Sequence, residues 1–133
     1  MGPGEASDEQ AAAAEQVGRL IAEAGALLVC GGLGGVMEAA CRGASEAGGR
    51  TVGILPGVDR AAANPFVEVA IATGLGEARN ALVVRSADVL IAIGGAYGTL
   101  SEIALALKAG KRVIGIATWA IDGIEAAVAA ALS

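Results

Sequence analysis

The sequence contains no histidine, and this absence excludes several kinds of active site at once. Serine hydrolases with a histidine base, zinc sites built from imidazole ligands and imidazole acid–base catalysis all require this residue. Any catalysis must therefore use carboxylates, arginine, lysine, tyrosine, hydroxyl groups or the backbone. We expect no metal site and no cofactor that is required for chemistry.

Positive charge and cysteine are also scarce. The chain has 9 Lys and Arg against 14 Asp and Glu, which gives a net charge of −5 at pH 7. Because nucleic-acid binders need a basic face, we expect no nucleic-acid partner, although this charge permits one small phosphate held by backbone amides. The two cysteines, Cys30 and Cys41, are too few for a disulfide framework. We predict reduced thiols that pack inside a cytoplasmic protein.

Long apolar runs are missing as well. Glycine interrupts the apolar stretches well before the roughly 20 residues that are needed to cross a bilayer, so we expect no membrane partner. No basic region followed by an apolar stretch marks a secretory signal at the N-terminus. The 133 residues, 55% of them hydrophobic, are enough for one domain with its own core, spanning 1–133.

Short apolar strands and helices alternate along the chain. The strands are continuously apolar, which is typical of a parallel sheet buried on both faces. Ser7 and Gln10 have the spacing of a capping box, and Gly25 suits the end of the first helix. The predicted fold class is therefore α/β, a doubly wound, Rossmann-like parallel sheet with helices on both faces. The predicted helices are 7–24, 36–47, 76–86, 99–109 and 122–132, and the predicted strands are 26–30, 51–55, 67–73, 88–93 and 112–117, with an irregular loop over 58–66.

Three glycine-rich stretches stand where helices begin: residues 2–5, 31–35 and 94–98. Glycine lets the backbone approach a ligand closely, and a helix N-terminus offers free N–H groups with partial positive charge. Ligands of doubly wound folds bind outside the carboxyl ends of the strands, so three such turns at one edge predict a phosphate-binding site. A second interpretation, tight strand-to-helix turns without a ligand, stays open.

The familiar nucleotide-binding motifs do not fit these turns. A G-x-G-x-x-G motif that starts at Gly32 would need glycine at the position of Met37. The Walker pattern G-x-x-x-x-G-K-[ST] is absent, and the only lysines are Lys108 and Lys111. We therefore do not expect ordinary NAD binding or P-loop NTPase activity.

The stretches GGLGGVMEAACRGASEAGGRTVGILPG (31–57) and GGAYGTLSE (94–102) resemble a family often described as lysine decarboxylase-like, which includes the cytokinin-activating phosphoribohydrolases of the LOG type. A closer resemblance is to a bacterial branch of mostly uncharacterised members, to which the molybdenum cofactor carrier proteins of algae are also similar. The residues that match the family pattern are Gly31, Gly32, Gly35, Met37, Gly48, Gly49, Gly53, Pro56, Arg79, Gly94, Gly95, Gly98, Thr99 and Glu102.

The glycine turns and the resemblance together give a set of candidate ligand residues. They would bind the phosphate of a nucleotide or of a pterin such as the molybdenum cofactor, held as a ligand. The resemblance also implies self-association as a dimer or larger homo-oligomer. The candidate phosphate-binding residues are Gly2, Gly4, Gly31, Gly32, Gly34, Gly35, Met37, Gly94, Gly95, Ala96, Tyr97, Gly98 and Thr99.

The resemblance to the hydrolases implies Glu102 and Arg79 as catalytic residues. Glu102 would stabilise the oxocarbenium-like charge on the ribose of a nucleoside 5′-monophosphate and help to activate water. Arg79 would orient that carboxylate or the leaving base. Each residue also has a structural interpretation. Residues 99–102 have the T-x-x-E spacing of a capping box, and Arg79 could be a surface arginine paired with Glu77 or Asp88.

Three departures from the family pattern favour binding over catalysis. Ile93 stands where the family has proline, Asn80 where it has a basic residue, and Ser101 where the hydrolases often carry a further acid. These changes leave the phosphate cradle intact and remove side chains that catalysis would use.

Three functions are consistent with these observations. The first is a carrier or binding protein for a phosphate-bearing nucleotide or pterin, and the second is a nucleoside 5′-monophosphate phosphoribohydrolase. The third is a structural or assembly subunit whose glycine turns bind nothing. A lysine decarboxylase is not expected, because its pyridoxal phosphate needs a Schiff-base lysine. Lys108 falls at the end of a predicted helix and Lys111 just before a predicted strand.

The beginning of the sequence raises a separate expectation. Family members start with a strand that leads into a turn like Gly2-Pro3-Gly4, whereas this sequence starts at the turn itself. Such a strand is usually central in a doubly wound sheet, and without it two rows of backbone groups would lie unpaired. We therefore expect that a first strand is missing ahead of Gly2.

Overall fold

Helices and parallel strands alternate along the chain, and the computed structural model describes residues 2, 4–94 and 104–116. None of the helices in these ranges is long and apolar enough to cross a membrane. The helices are α1 (Asp8–Glu23), α2 (Val36–Glu46) and α3 (Arg79–Ser86), with further helical residues at 104–108, and the strands are β1 (Leu28–Cys30), β2 (Thr51–Leu55), β3 (Val69–Ala72), β4 (Val89–Ile93) and β5 (Arg112–Ile116).

The first helix begins and ends as predicted. The Gln10 N–H donates to Ser7 Oγ and the Ser7 N–H donates to Gln10 Oε1, both at 3.1 Å, so the capping box is confirmed. After the helix, Gly25 has a φ of +76°, and the Ala26 N–H donates to the Ile21 carbonyl at 3.1 Å. This closing turn engages Ala26, which is why β1 starts at Leu28 and not at residue 26 as predicted.

The start of α3 also differs from the prediction. Gly76 has a φ of +60°, which an α-helix does not accept, and residues Gly76–Ala78 form a short 3-10 turn. The α-helix therefore begins at Arg79 and not at residue 76. The loop predicted over 58–66 contains a single 3-10 turn, Arg60–Ala62. The predicted helix 122–132 and the first part of the helix predicted for 99–109 lie outside the described residues.

All strand pairs in the described residues are parallel, and the α/β fold class is confirmed. One sheet has the order β1-β2-β3, with Leu28 opposite Thr51 and Val52 opposite Val69. The other pairs β4 with β5, with Val89 opposite Arg112. The described strands thus form two parallel sheets and not one continuous sheet.

Helices α1 and α2 approach each other closely at two glycine positions. Gly18 lies against the Ala40 carbonyl and Gly43 against the Glu15 carbonyl, so a Cβ at either position would collide with the opposite backbone. This close crossing builds the main core on one side of the first sheet. Its buried members are Ala13, Ala14, Val17, Ile21, Leu28, Cys30, Val36, Ala39, Ala40, Cys41, Ala44 and Ile93.

Candidate functional site

The turn of residues 31–35 connects the end of β1 to the start of α2. Gly32 and Gly35 have φ values of +77° and +66°, in the left-handed region that favours glycine. Gly32 also packs closely on β2, because a Cβ there would lie 2.8 Å from Leu55 Cδ2 and 3.1 Å from Gly53 Cα. Glycine at position 32 is therefore required by the fold itself, whether or not a ligand binds.

The first two glycine-rich stretches meet in space. The Gly4 carbonyl oxygen lies 3.5 Å from the point where a Cβ of Gly34 would stand, and Gly2 packs against the Val36 side chain. The third stretch starts at Gly94, which follows β4 with a φ of +70°. The other predicted phosphate-binding residues of that stretch lie outside the described residues, as does Glu102, one of the two catalytic candidates. These phosphate-binding candidates are Gly95, Ala96, Tyr97, Gly98 and Thr99.

Arg79, the first residue of α3, is the one candidate side chain with a charge among the described residues, and it is only 9% exposed. Its Nη2 atom lies 2.7 Å from the position that a Cβ of Gly31 would take, and the Met37 Sδ atom lies 2.8 Å from the same point. A glycine at position 31 therefore lets the guanidinium and the thioether approach the backbone of the turn.

The hydrogen bonds of Arg79 leave part of its charge without a partner. Its Nη1 donates to the Asn80 side-chain oxygen, and its buried Nε has no hydrogen-bond partner among the described residues. The ion pairs of the described ranges belong to other arginines, so pairing of Arg79 with Glu77 or Asp88 is not found. Among the described residues, Arg79 is thus a buried cation without a carboxylate beside it.

Helix α2 starts without a side-chain cap. Gly35 is its N-cap residue, and no side-chain cap hydrogen bond to the first turn is present among the residues that the structure describes. On the side of Gly35 towards α1, an open depression of about 370 Å³ is lined by Glu5, Glu38 and Arg42. The two carboxylates there would repel an anion, and Arg42 already pairs with Glu15 at 3.2 Å. An anion would therefore be favoured on the side of Arg79.

Asn64 holds the turn in place, a role that the sequence alone did not reveal. Its Nδ2 donates to the Leu33 carbonyl at 2.9 Å, and its own N–H donates to the Gly32 carbonyl at 2.9 Å. Its Oδ1 accepts from the Phe66 N–H at 3.0 Å. The Asn-Pro pair of residues 64–65 is a turn signal that could have drawn attention to this position.

Two buried thiols lie next to the same turn. Cys30 and Cys41 are free, as predicted, and their sulfur atoms are 3.4 Å apart. The hydrogen bond with Cys41 lowers the pKa of Cys30 to about 7, against the opposing effect of burial, and the Gly32 N–H, 3.3 Å from Cys30 Sγ, acts in the same direction as Cys41. The same thiol–thiol bond, helped by burial, raises the pKa of Cys41. Of the two thiols, Cys30 is therefore the one that loses its proton first as the pH rises.

The described residues bring together at this turn several groups that attract an anion. They include a buried arginine, an uncapped helix start and a glycine turn fixed by Asn64. They contain no group of three or more His, Cys, Asp or Glu that could hold a metal ion. Chemically, this arrangement is suited to a phosphate or a similar anion.

Solved structures with related sequences share this architecture. The molybdenum cofactor binding protein of the phototrophic bacterium Rippkaea orientalis is 50% identical, with a TM-score of 0.86 over 88% of this chain and 73% of that chain. The molybdenum cofactor carrier protein of Chlamydomonas reinhardtii is 37% identical, with a TM-score of 0.87 over 99% of this chain and 94% of that chain.

Sequence comparison gives the same relationship. An uncharacterised protein of Archaeoglobus fulgidus is 53% identical over 113 residues, which are 85% of this chain and 74% of the relative. The model of the SLOG cluster4 family matches residues 1–131. The resemblance to LOG-type proteins, and to the branch near the molybdenum cofactor carriers, is thereby confirmed. The chain belongs to the SLOG cluster4 family.

Proposed function

We propose that this protein binds a phosphate-bearing pterin of the molybdenum cofactor type and carries it without changing it. The structures that resemble it are named as molybdenum cofactor binding and carrier proteins, and this supports the proposal. A nucleotide is the second ligand class that the same phosphate site would accept.

The burial of Arg79 and its unpaired charge among the described residues are the observations that support the proposal most directly. A buried cation without an anionic partner is unfavourable, because it has lost its hydration and gained no compensating charge. A ligand phosphate beside Gly31 would supply that partner. Arginine is suited to this role, since its planar guanidinium forms paired hydrogen bonds with phosphate oxygens.

The turn itself would supply the other donors. The first amides of α2 follow Gly35 without a side-chain cap, and a phosphate placed there gains from both the N–H groups and the helix dipole. In the proposed arrangement the phosphate lies between these amides and Arg79, while Gly2 and Gly4 bring the first turn against the second. Gly94 and the turn that follows it, with Thr99 as a further donor, would close the site from β4.

The rest of the ligand would be bound through its organic part. Because the described residues hold no metal-ligating cluster, the proposed contacts of the protein go to the phosphate and the ring system and not to a metal. We also propose a homo-oligomer in the cytoplasm. The buried free thiols fit a reducing compartment, and the exposed Leu105 and Leu107 fit a subunit contact.

The experiment separates a carrier from a hydrolase. Purified protein is incubated with molybdenum cofactor released from a molybdoenzyme and, separately, with nucleoside 5′-monophosphates. After gel filtration, bound molybdenum is measured by mass spectrometry and bound pterin by fluorescence, and free base and ribose 5-phosphate are measured by chromatography. We expect molybdenum and pterin to elute together with the protein and no ribose 5-phosphate to form.

Two results would contradict the carrier proposal. Release of free base and ribose 5-phosphate that disappears in Glu102→Gln would establish the phosphoribohydrolase. Absence of both binding and turnover would favour a structural subunit whose turns bind nothing.

A further inference from the structure

The buried thiols Cys30 and Cys41 have no part in the function proposed above, yet their sulfur atoms are in contact. Cys30 is the last residue of β1, and Cys41 lies in the second turn of α2. The two sulfurs are 3.4 Å apart, and the residues are 4% and 0% exposed. Since residues 31–35 connect β1 to α2, this contact joins the two sides of the glycine turn.

The surroundings of Cys30 favour its thiolate. The Gly32 N–H donates to Cys30 Sγ at 3.3 Å. The hydrogen bond with Cys41 lowers the pKa of Cys30 most, burial opposes this effect, and the Gly32 N–H and the charge of Arg79 also lower it. The thiolate is the form that attacks an electrophile, so Cys30 is the nucleophile of the pair. Cys41, whose pKa is raised by the same hydrogen bond and by burial, is the proton donor.

We propose that Cys30 and Cys41 are a modification site for a small hydroperoxide, which oxidises them to a disulfide across the glycine turn. In the first step, the Cys30 sulfur attacks one peroxide oxygen, the O–O bond breaks, and hydroxide leaves the resulting sulfenic acid. In the second step, the Cys41 sulfur attacks the Cys30 sulfur and the S–O bond breaks. The oxygen departs with the Cys41 proton as water. The two sulfurs together lose two electrons, which the two peroxide oxygens receive.

The geometry suits the second step. A disulfide is about 2.05 Å long, so the two sulfurs must approach each other by about 1.4 Å, a distance that small changes in side-chain torsion cover. Cys41 therefore stands where a resolving thiol is needed.

Burial selects the class of oxidant. Hydrogen peroxide is little larger than water, whereas glutathione disulfide is too bulky to reach a sulfur that the core covers. A small hydroperoxide is therefore the oxidant that fits this pair.

The disulfide would restrict the turn of residues 31–35. It would join the end of β1 directly to α2 and close a covalent ring over residues 30–41. Asn64 already fastens this turn through the Leu33 carbonyl. Because a cross-link removes conformational freedom from the segment it encloses, oxidation would hold the turn more firmly still.

The test uses the full chain, reduced with dithiothreitol and then freed of it without air. Samples receive hydrogen peroxide or glutathione disulfide at pH 7 and are quenched in denaturant with N-ethylmaleimide. Intact mass counts the remaining thiols, and gel filtration separates monomers from cross-linked dimers. Cys41→Ser and Cys30→Ser form a matched pair of variants that each keep one thiol, and dimedone traps sulfenic acid in both.

We expect hydrogen peroxide to give a monomer that has lost two hydrogens and takes up no maleimide, roughly tenfold or more faster than glutathione disulfide does. Cys41→Ser should hold Cys30 as a sulfenic acid. Cys30→Ser should react roughly tenfold more slowly, because its remaining thiol is protonated. Amide exchange in the 31–35 turn should slow roughly tenfold after oxidation of the wild type and recover after reduction.

The wild-type measurements alone can overturn the proposal. Thiols that survive peroxide in the folded chain but oxidise in the urea-unfolded chain would do so, as would a disulfide between two chains. Equal rates with glutathione disulfide would contradict the assignment to a small hydroperoxide. Unchanged exchange of the turn amides in the oxidised protein would contradict the restriction of the turn. None of these results depends on the ligand proposed above.

Discussion

Helices α1 and α2 both begin after glycine-rich stretches, yet their first turns are built in opposite ways. At α1, Ser7 and Gln10 form a capping box, so the protein itself satisfies the first amides of the helix. At α2, Gly35 caps with its backbone only, and the buried Arg79 lies beside the same turn. A glycine-rich helix start is therefore not by itself a ligand site. What distinguishes α2, within the described ranges, is that its first turn has no side-chain cap and that the nearby buried cation has no carboxylate partner.

The two glycine-rich turns also differ in how closely Gly4 and Gly32 are packed. A Cβ added at Gly4 would meet nothing within 4 Å, whereas one added at Gly32 would press on Leu55 and on the backbone of Gly53. The turn before α2 is also fastened by Asn64. The first turn is thus open at Gly4, although Gly2 packs against Val36, whereas the second turn is crowded at Gly32 and fastened by Asn64, as a preorganised anion site requires.

The largest effect on stability is expected for Gly32→Ala. The left-handed φ and the crowding against Leu55 should together lower the free energy of unfolding by roughly 2–5 kcal/mol. Urea denaturation measures this loss. Gly4→Ala is the matched control in the turn before α1, and it should change stability by no more than about 0.5 kcal/mol. Equal losses in the two variants would show that the packing contrast between the two turns is not real.

Asn64→Ala is expected to have the next largest effect. The variant leaves the Leu33 carbonyl and the Phe66 N–H without their side-chain partner, which should cost roughly 2–3 kcal/mol of unfolding free energy. Amide exchange in the 31–35 turn should accelerate as well. Asp59→Ala, which removes an exposed side-chain bond to the Ala61 N–H at 2.9 Å, is the control and should cost about 1 kcal/mol or less. Unchanged exchange in the turn would argue against the role of Asn64.

Ser7→Ala tests the start of α1. Loss of the capping hydroxyl should lower the free energy of unfolding by about 1 kcal/mol and leave ligand affinity unchanged, because the α1 amides do not face the proposed anion. Thermal denaturation and a ligand titration on the same sample check both statements. A parallel loss of affinity would mean that the two helix starts act together in binding.

The smallest effect on stability near neutral pH is expected for the thiol pair. A thiolate should appear in the ultraviolet spectrum with a midpoint near pH 7, since the hydrogen bond from Cys41 lowers the pKa of Cys30. Cys41→Ala removes this donor and should raise the midpoint, whereas Cys41→Ser keeps a hydroxyl donor and should raise it less. Because the pKa of Cys30 is lower in the folded protein, its contribution to stability grows from about pH 7 towards pH 9 and is lost as the pH falls through 7. A wild-type midpoint near 9 would contradict the assignment.

Much of the fold follows from the sequence, because its strands are continuously apolar and its helices carry clear start and stop signals. The predicted bounds are wrong at two places where the local backbone decides. The Ala26 amide bonds to the end of α1, so β1 starts later than predicted, and Gly76 has a left-handed φ, so α3 also starts later.

The site could be anticipated only in part. The family pattern pointed to Arg79, but its burial, and its lack of a carboxylate partner within the described ranges, depend on how α3 packs against the turn, which no local pattern encodes. Asn64 was missed because it acts across about 30 residues of sequence, from a loop without periodicity. Phosphate binding at the glycine turns stays a prediction.

The most direct test of the central claim is the affinity of Arg79→Met for the molybdenum cofactor, measured by equilibrium titration beside Arg85→Met. Arg85 is an exposed arginine on the same helix, so its replacement removes an equal charge away from the turn. We predict that Arg79→Met weakens binding roughly tenfold to a hundredfold while keeping or raising stability, since it removes a buried cation that has no anionic partner in the described part of the chain, and that Arg85→Met binds as the wild type does. Wild-type affinity in Arg79→Met, or a loss of affinity accompanied by an equivalent loss of stability, would contradict an anion site at Arg79.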